Sequence, residues 1–167
     1  MASCFVCGCV DEDRAFVDGE EYFVELIYNF LKKNDIHTVY TLNRNLFDDV
    51  VEDAINTVRD GVGANVVKVA ISKSPSVVLE DKLLWNDYYK DVICPYDEEL
   101  DPLKTYKTLY GWMIDNSEYM ITHYIDDSDI CLDIANAAEK SGVKVFNIAD
   151  KISVNKLISF SKKEDSE

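Results

Sequence analysis

Glycine and proline are scarce in this chain, six and three of its 167 residues, and basic residues are outnumbered, 17 Lys and Arg against 32 Asp and Glu. The resulting net charge of −15 opposes binding to a nucleic-acid backbone, because neutralising phosphates requires clustered Lys and Arg. A basic protein surface is the complementary partner. No apolar run approaches the roughly 18 to 20 residues that a membrane span needs. The stretch MASCFVCGCVDED has neither the basic region nor the long apolar core of a secretory signal. The expectation is a soluble cytoplasmic protein with no membrane and no direct nucleic-acid partner. Disorder is excluded by the 47% of residues that are apolar in type.

Cys4, Cys7, Cys9, Cys94 and Cys131 make an odd number. Without an export signal, free thiols in a reducing compartment are expected rather than disulfides. Cys4-x-x-Cys7-x-Cys9 has the look of a zinc motif, but Phe5, Val6 and Val10 make the segment a buried strand. Alternate side chains of a strand face opposite ways, so no metal is assigned there.

Short apolar runs alternate with helical patterns, which predicts an α/β fold, a three-layer Rossmann-like open sheet, mainly parallel, with helices on both faces. Strands are expected at 3–9, 38–42, 66–71, 120–124 and 143–148. Helices are expected from Glu20, from Asn45 to Asp60-Gly61, from Leu103, and over 128–141, where Gly142 ends the last one. The middle, 72–101, contains Pro75 and Pro95, a short helix around 79–85 and a strand at 92–94, and is read as a lid or insertion. Residues 1–160 are expected to form one domain, 151–160 to add a terminal helix, and 161–167 to be a flexible charged tail.

In open α/β sheets ligands sit at the carboxyl edge, where helix N-termini offer unpaired N–H groups. Two turns of this kind carry polar residues. Asn43-Arg44-Asn45-Leu46-Phe47-Asp48 follows the second strand, and Asp126-Asp127-Ser128-Asp129 opens the last long helix. Either set caps its helix or contacts a ligand, since both use the same chemistry. The carboxylates of the second turn would repel a phosphate about 4 Å away by a few kcal/mol at an effective dielectric near 20. Gly61-x-Gly63 follows a helix and precedes a strand, the wrong order for a phosphate loop, and reads as a surface turn. His37 and His123 have no nucleophile beside them and read as surface or core-edge residues. Trp112 is the candidate to stack on a flat ligand. The run from Asp97 to Asp101 reads as a solvated acidic loop.

Phe5-Val6-Cys7-Gly8, the segment from Val39 to Asp48, and WMIDNSEYMIT followed by AAEKSGVKVFNI resemble the SLOG superfamily. That Rossmann-like group includes the DNA-processing protein DprA/Smf and the LOG cytokinin-activating enzymes, and the likeness is greatest to its small bacterial YpsA-like branch. The resemblance implies a nucleotide or nucleotide-derived ligand in the crevice. The chain departs from the family pattern at Leu42 and Asn45, at Leu109 and Tyr110, and at Asp129 and Ile130, where the family has glycines or polar residues. A Cβ at a glycine position blocks close backbone approach. Phosphoribohydrolase activity is not implied, since the LOG Pro-Gly-Gly-x-Gly-Thr set is missing.

The expected function is therefore a non-enzymatic binding or sensing module for a small nucleoside-like ligand, with a diverged phosphate site and no cofactor. The candidate ligand-binding residues are Gly8, Cys9, Asn43, Arg44, Asp48, Trp112, Ser128 and Asp129. The alternative is an acidic interaction protein, a nucleic-acid mimic or inhibitor of mobile-element, bacterial or phage origin, that covers a basic protein surface. An enzyme using Asp48 with a metal held by Asp126, Asp127 or Asp129 ranks last. Exposed apolar helix faces leave a homodimer open.

Overall fold

The computed structural model describes residues 2–8, 20–42, 46–60, 66–85, 89–124 and 130–149. They form one six-stranded sheet, β1 (Ala2–Gly8), β2 (Ile36–Thr41), β3 (Val67–Ile71), β4 (Asp91–Ile93), β5 (Tyr119–His123) and β6 (Lys144–Asn147). All neighbours pair in parallel in the order β4-β3-β2-β1-β5-β6. The helices are α1 (Glu20–Lys33), α2 (Leu46–Asp60), α3 (Val78–Trp85), α4 (Thr105–Asp115) and α5 (Ile130–Lys140). This is the three-layer Rossmann-like α/β architecture expected from the alternating pattern.

Parallel strands covered on both faces must be apolar on both, and β1 shows how the two cores are divided. Cys4 and Val6 point into one core with Phe23, Ile27 and Leu31 of α1 and Phe47, Val50, Val51, Ala54, Ile55 and Val58 of α2. Phe5 and Cys7 point into the other with Leu109, Tyr110 and Met113 of α4 and Cys131, Ala135 and Ala138 of α5. Cys4 and Cys7 thus lie in different layers.

Two turns use left-handed backbone. Gly142 ends α5 at φ 87°, with Val143 N–H donating to Ala138 O and Gly142 N–H to Glu139 O at 2.9 and 3.0 Å. That is the paired cap in which a glycine without Cβ is the natural occupant. Asp35, at φ 53°, turns α1 into β2; Asp tolerates this region better than most residues.

The segment read as an insertion is an integral edge of the fold. Its strand, β4, continues the ladder from β3 through Val69↔Asp91, Ala70↔Val92 and Ile71↔Ile93. The acidic run at 97–101 is mostly exposed, as expected, and Glu99 is also hydrogen-bonded: Ser76 N–H donates to Glu99 Oε1 at 3.0 Å, and the Ser74 hydroxyl donates to Oε2. Residues 150–167, with the proposed terminal helix and tail, lie outside the described residues. No described helix is long and apolar enough to cross a membrane.

At the amino edge, Glu118 joins three segments. Its carboxylate accepts from the Ser3 backbone N–H at 2.6 Å and from the Ser3 hydroxyl at 3.1 Å. Its own N–H donates to Ser3 O, and its carbonyl accepts from Lys144 N–H, both at 3.0 Å. The Ser3 N–H, helped by the hydroxyl, holds the Glu118 carboxyl below its ordinary value of 4.5. A carboxyl lowered by folding stabilises fully above its unfolded value, and that contribution is lost as pH falls through the folded value. Glu118→Gln is expected to lower the urea midpoint at neutral pH. The gap from the parent should narrow as pH drops below 4.5, as read by urea titrations across that range.

Candidate functional site

The chain builds outward from β1 through β2 and β3 to β4, then crosses back to place β5 and β6 on the other side of β1. The order reverses at β1, and the crevice between the carboxyl ends of β1 and β5 is the place where such sheets hold ligands. Register puts Gly8 opposite His123 there.

Gly8 faces the first turn of α2. A Cβ built on it would overlap the Phe47 ring, with Cε1 and Cγ only 2.6 Å away. Real side-chain carbons do not approach that closely, so glycine at this position makes room for a phenyl ring. Phe47 is fully buried, and its ring centroid lies 6.3 Å from that of His123. His123 is 5% exposed and meets Phe23 edge-on at 5.6 Å. The carboxyl end of β1 is therefore a glycine covered by the Phe47 ring, with His123 and Phe23 packed next to it.

On the β6 side, Asn147 takes up the backbone beyond β5. Tyr124 N–H donates to Asn147 Oδ1 at 3.3 Å, and Asn147 Nδ2 donates to Tyr124 O at 3.2 Å. Ala149 N–H donates to the same Oδ1 at 3.1 Å. An N–H that could have gripped an anion is thus engaged by a side chain. Nearby, the fully buried Thr122 hydroxyl has no hydrogen-bond partner among the described residues.

Beside Phe47, Asp48 begins a polar cluster between α2 and β3. Asp48 is 8% exposed and Lys68, on β3, 3%. Lys68 Nζ donates to Glu52 Oε1 at 2.5 Å and lies 5.1 Å from the centre of the Tyr89 ring. Burial, then repulsion from Glu52, Asp48 and Asp49, pushes the Tyr89 phenol above its ordinary range. It stays a neutral donor. Partial burial, with Glu52 and Asp53, also raises the Asp49 carboxyl.

Of the residues singled out from sequence, Gly8 and Asp48 flank Phe47 at this edge. Trp112 is placed elsewhere: it meets Tyr40 edge-on at 5.3 Å, one turn before Asn116, whose carbonyl accepts from the Ser3 hydroxyl at the amino edge. Cys9, Asn43, Arg44, Ser128 and Asp129 lie outside the described residues, as do Asn45, Asp126, Asp127 and the Gly61-x-Gly63 turn. Leu42, Leu109 and Tyr110 fill the core packed under α4 and α5. No group of three or more metal-binding side chains occurs among the described residues.

Phe47, His123 and Lys68 belong to this edge without a local signal that places them there. Phe47 follows β2 in the first turn of α2, with nothing in the sequence to show that its ring packs on Gly8, and Lys68 is hidden inside an apolar strand. A lysine in a strand covered on both faces does signal a buried partner, because it requires one. No protein-family model matches the chain, and no curated protein matches it either.

Two stability tests follow from these contacts. Gly8→Ala is expected to destabilise by about 1–3 kcal/mol through overpacking. Adding Phe47→Leu, which removes the ring, should recover part of that loss in a double-mutant cycle measured by urea unfolding. Purely additive losses would show that the ring does not sit on Gly8. In the cluster, Glu52→Ala strands a buried ammonium and should cost about 3 kcal/mol, whereas Lys68→Met leaves a partly hydrated carboxylate and should cost about 1 kcal/mol or less. Chemical denaturation of the two variants checks the asymmetry.

Proposed function

We propose that the chain is a non-enzymatic binding or sensing module that takes a flat, uncharged, nucleoside-like ligand at the carboxyl edge of β1 and β5, in the manner of a diverged SLOG-like protein. The observation that carries this reading is the Phe47 ring seated on Gly8. In a phosphate-binding sheet that glycine lets an anion approach the backbone; here a ring occupies the approach. The buried rings of Phe47, Phe23 and His123 make the ground beneath this edge apolar, which favours a base or similar planar group over a phosphate, and Asp48 supplies an acceptor for a sugar hydroxyl or exocyclic amine. The side chain of Asn147 already engages the Tyr124 N–H, which further disfavours a polyanion.

Calorimetry with a panel of nucleosides and their matching triphosphates, free of divalent cation, tests this. At least one nucleoside should bind about tenfold or more tightly than its triphosphate, a difference of ~1.4 kcal/mol, and Asp48→Asn should weaken it. Tighter binding of the triphosphate, or no nucleoside binding at all, would contradict the proposal.

A second reading has its own observation. Leu79, Leu83 and Leu84 of α3 and Leu103 are 68–94% exposed. Exposed carboxylates lie on the same segments at Glu80, Asp97, Glu98, Glu99 and Asp101, and the Glu99 bonds to Ser74 and Ser76 hold the two segments together. An apolar patch with an acidic border fits a basic amphipathic surface on a partner protein. Such a partner should co-purify with the chain, be released by added salt, and be lost with Leu83→Lys.

A further inference from the structure

Cys7 and Cys131 are both free thiols, 4% and 1% exposed, and their sulfurs are 3.5 Å apart. They are 124 residues apart in sequence and meet because β1 ends where α5 begins. Cys7 is the penultimate residue of β1, and Cys131 lies in the first turn of α5. The Cys7 thiol donates to the Cys131 sulfur. The first turn of a helix favours negative charge through its unpaired N–H groups. Across the ladder from Cys7 stands Thr122, whose buried hydroxyl has no partner among the described residues.

We propose that Cys7 and Cys131 are a modification site, a dithiol oxidised by a small hydroperoxide to a disulfide that ties the carboxyl end of β1 to the start of α5. Both sulfurs are buried, so the oxidant has to be small and uncharged; hydrogen peroxide qualifies and a glutathione disulfide does not. The Cys131 sulfur, as thiolate, attacks one peroxide oxygen. The O–O bond breaks, hydroxide leaves and takes up a proton as water, and Cys131 becomes a sulfenic acid. The Cys7 sulfur then attacks the Cys131 sulfur. The S–O bond breaks, the S–S bond forms, and the departing hydroxide takes the Cys7 proton as a second water. Two thiols lose two electrons and one peroxide gains them. An attacking and a resolving sulfur already in contact is the arrangement this chemistry needs.

The other described cysteines are placed differently. Cys4 lies in the opposite core layer, where burial pushes its thiol above the ordinary range. The Cys94 thiol donates to Tyr96 O at 3.4 Å on the far edge of the sheet. Formation of the disulfide closes a long loop and removes freedom from the unfolded chain.

The test treats the purified full chain with hydrogen peroxide at equal concentration, blocks remaining thiols under denaturing conditions, and maps linked peptides by fragmentation mass spectrometry without reductant. The expected product is a Cys7–Cys131 linkage that dithiothreitol reverses, that persists in Cys9→Ser and Cys94→Ser, and that is lost in Cys131→Ser. Oxidation should raise the melting temperature by on the order of 5 °C. Linkage through Cys9 instead, oxidation confined to Cys94, intact thiols throughout, or a lowered melting temperature would each overturn the assignment. Should Cys131→Ser fail to fold, the wild-type and Cys9→Ser maps decide the matter alone.

Discussion

A phenyl ring resting on an α carbon that has no side chain sets the character of this protein's carboxyl edge. Phe47 can be fully buried in the first turn of α2 only because Gly8 presents no Cβ. That contact anchors α2 over the end of β1, and from this anchor Val50, Val51, Ala54, Ile55 and Val58 run down the same core as Cys4 and Val6. The same contact fills the space above the glycine that a phosphate would enter in a nucleotide-binding sheet of this topology. One packing choice therefore bears on both the stability of the fold and the chemistry of its crevice.

The charges around the crevice follow the same logic. A net charge of −15 and the buried carboxylate of Asp48 make the edge hostile to polyanions, and the one buried cation at the α2–β3 junction, among the described residues, is Lys68, which is engaged by Glu52. Tyr89, under the influence of three carboxylates, holds its proton. What remains at the edge is a set of buried rings with neutral or acceptor groups. This is the setting in which the proposed planar ligand without phosphate would have to bind.

Much of the architecture was legible from residue pattern because the strands are short, apolar on both faces and separated by strongly amphipathic helices. Ile27 and Leu31, or Ala54 and Val58, could belong only to helix faces packed on a sheet. The edge strand at 91–93 is visible in the sequence as a strand at 92–94, but three residues carry little periodicity, and the prolines around them read as a lid or insertion rather than as an edge of the sheet. The site was less legible for a different reason. Gly8 was recognisable as special, yet the sequence does not show whether a glycine admits a ligand or a ring, and only the position of Phe47 distinguishes the two. His123 reads from sequence as a surface or core-edge residue, and its location at the strand-order reversal comes from β5 crossing back beside β1. The meeting of Cys7 and Cys131 depends on that same crossing and has no local signature at all.

The most direct measurement of the central contact is the proton NMR spectrum of Gly8. Aromatic ring currents shift protons held close to a ring, so the α protons of Gly8 should resonate well away from ordinary glycine positions in the wild-type protein. They should move back toward those positions in Phe47→Leu. Ordinary Gly8 shifts in the wild type, unchanged by the substitution, would mean that the ring lies elsewhere and that the backbone of the crevice is open to an anion after all.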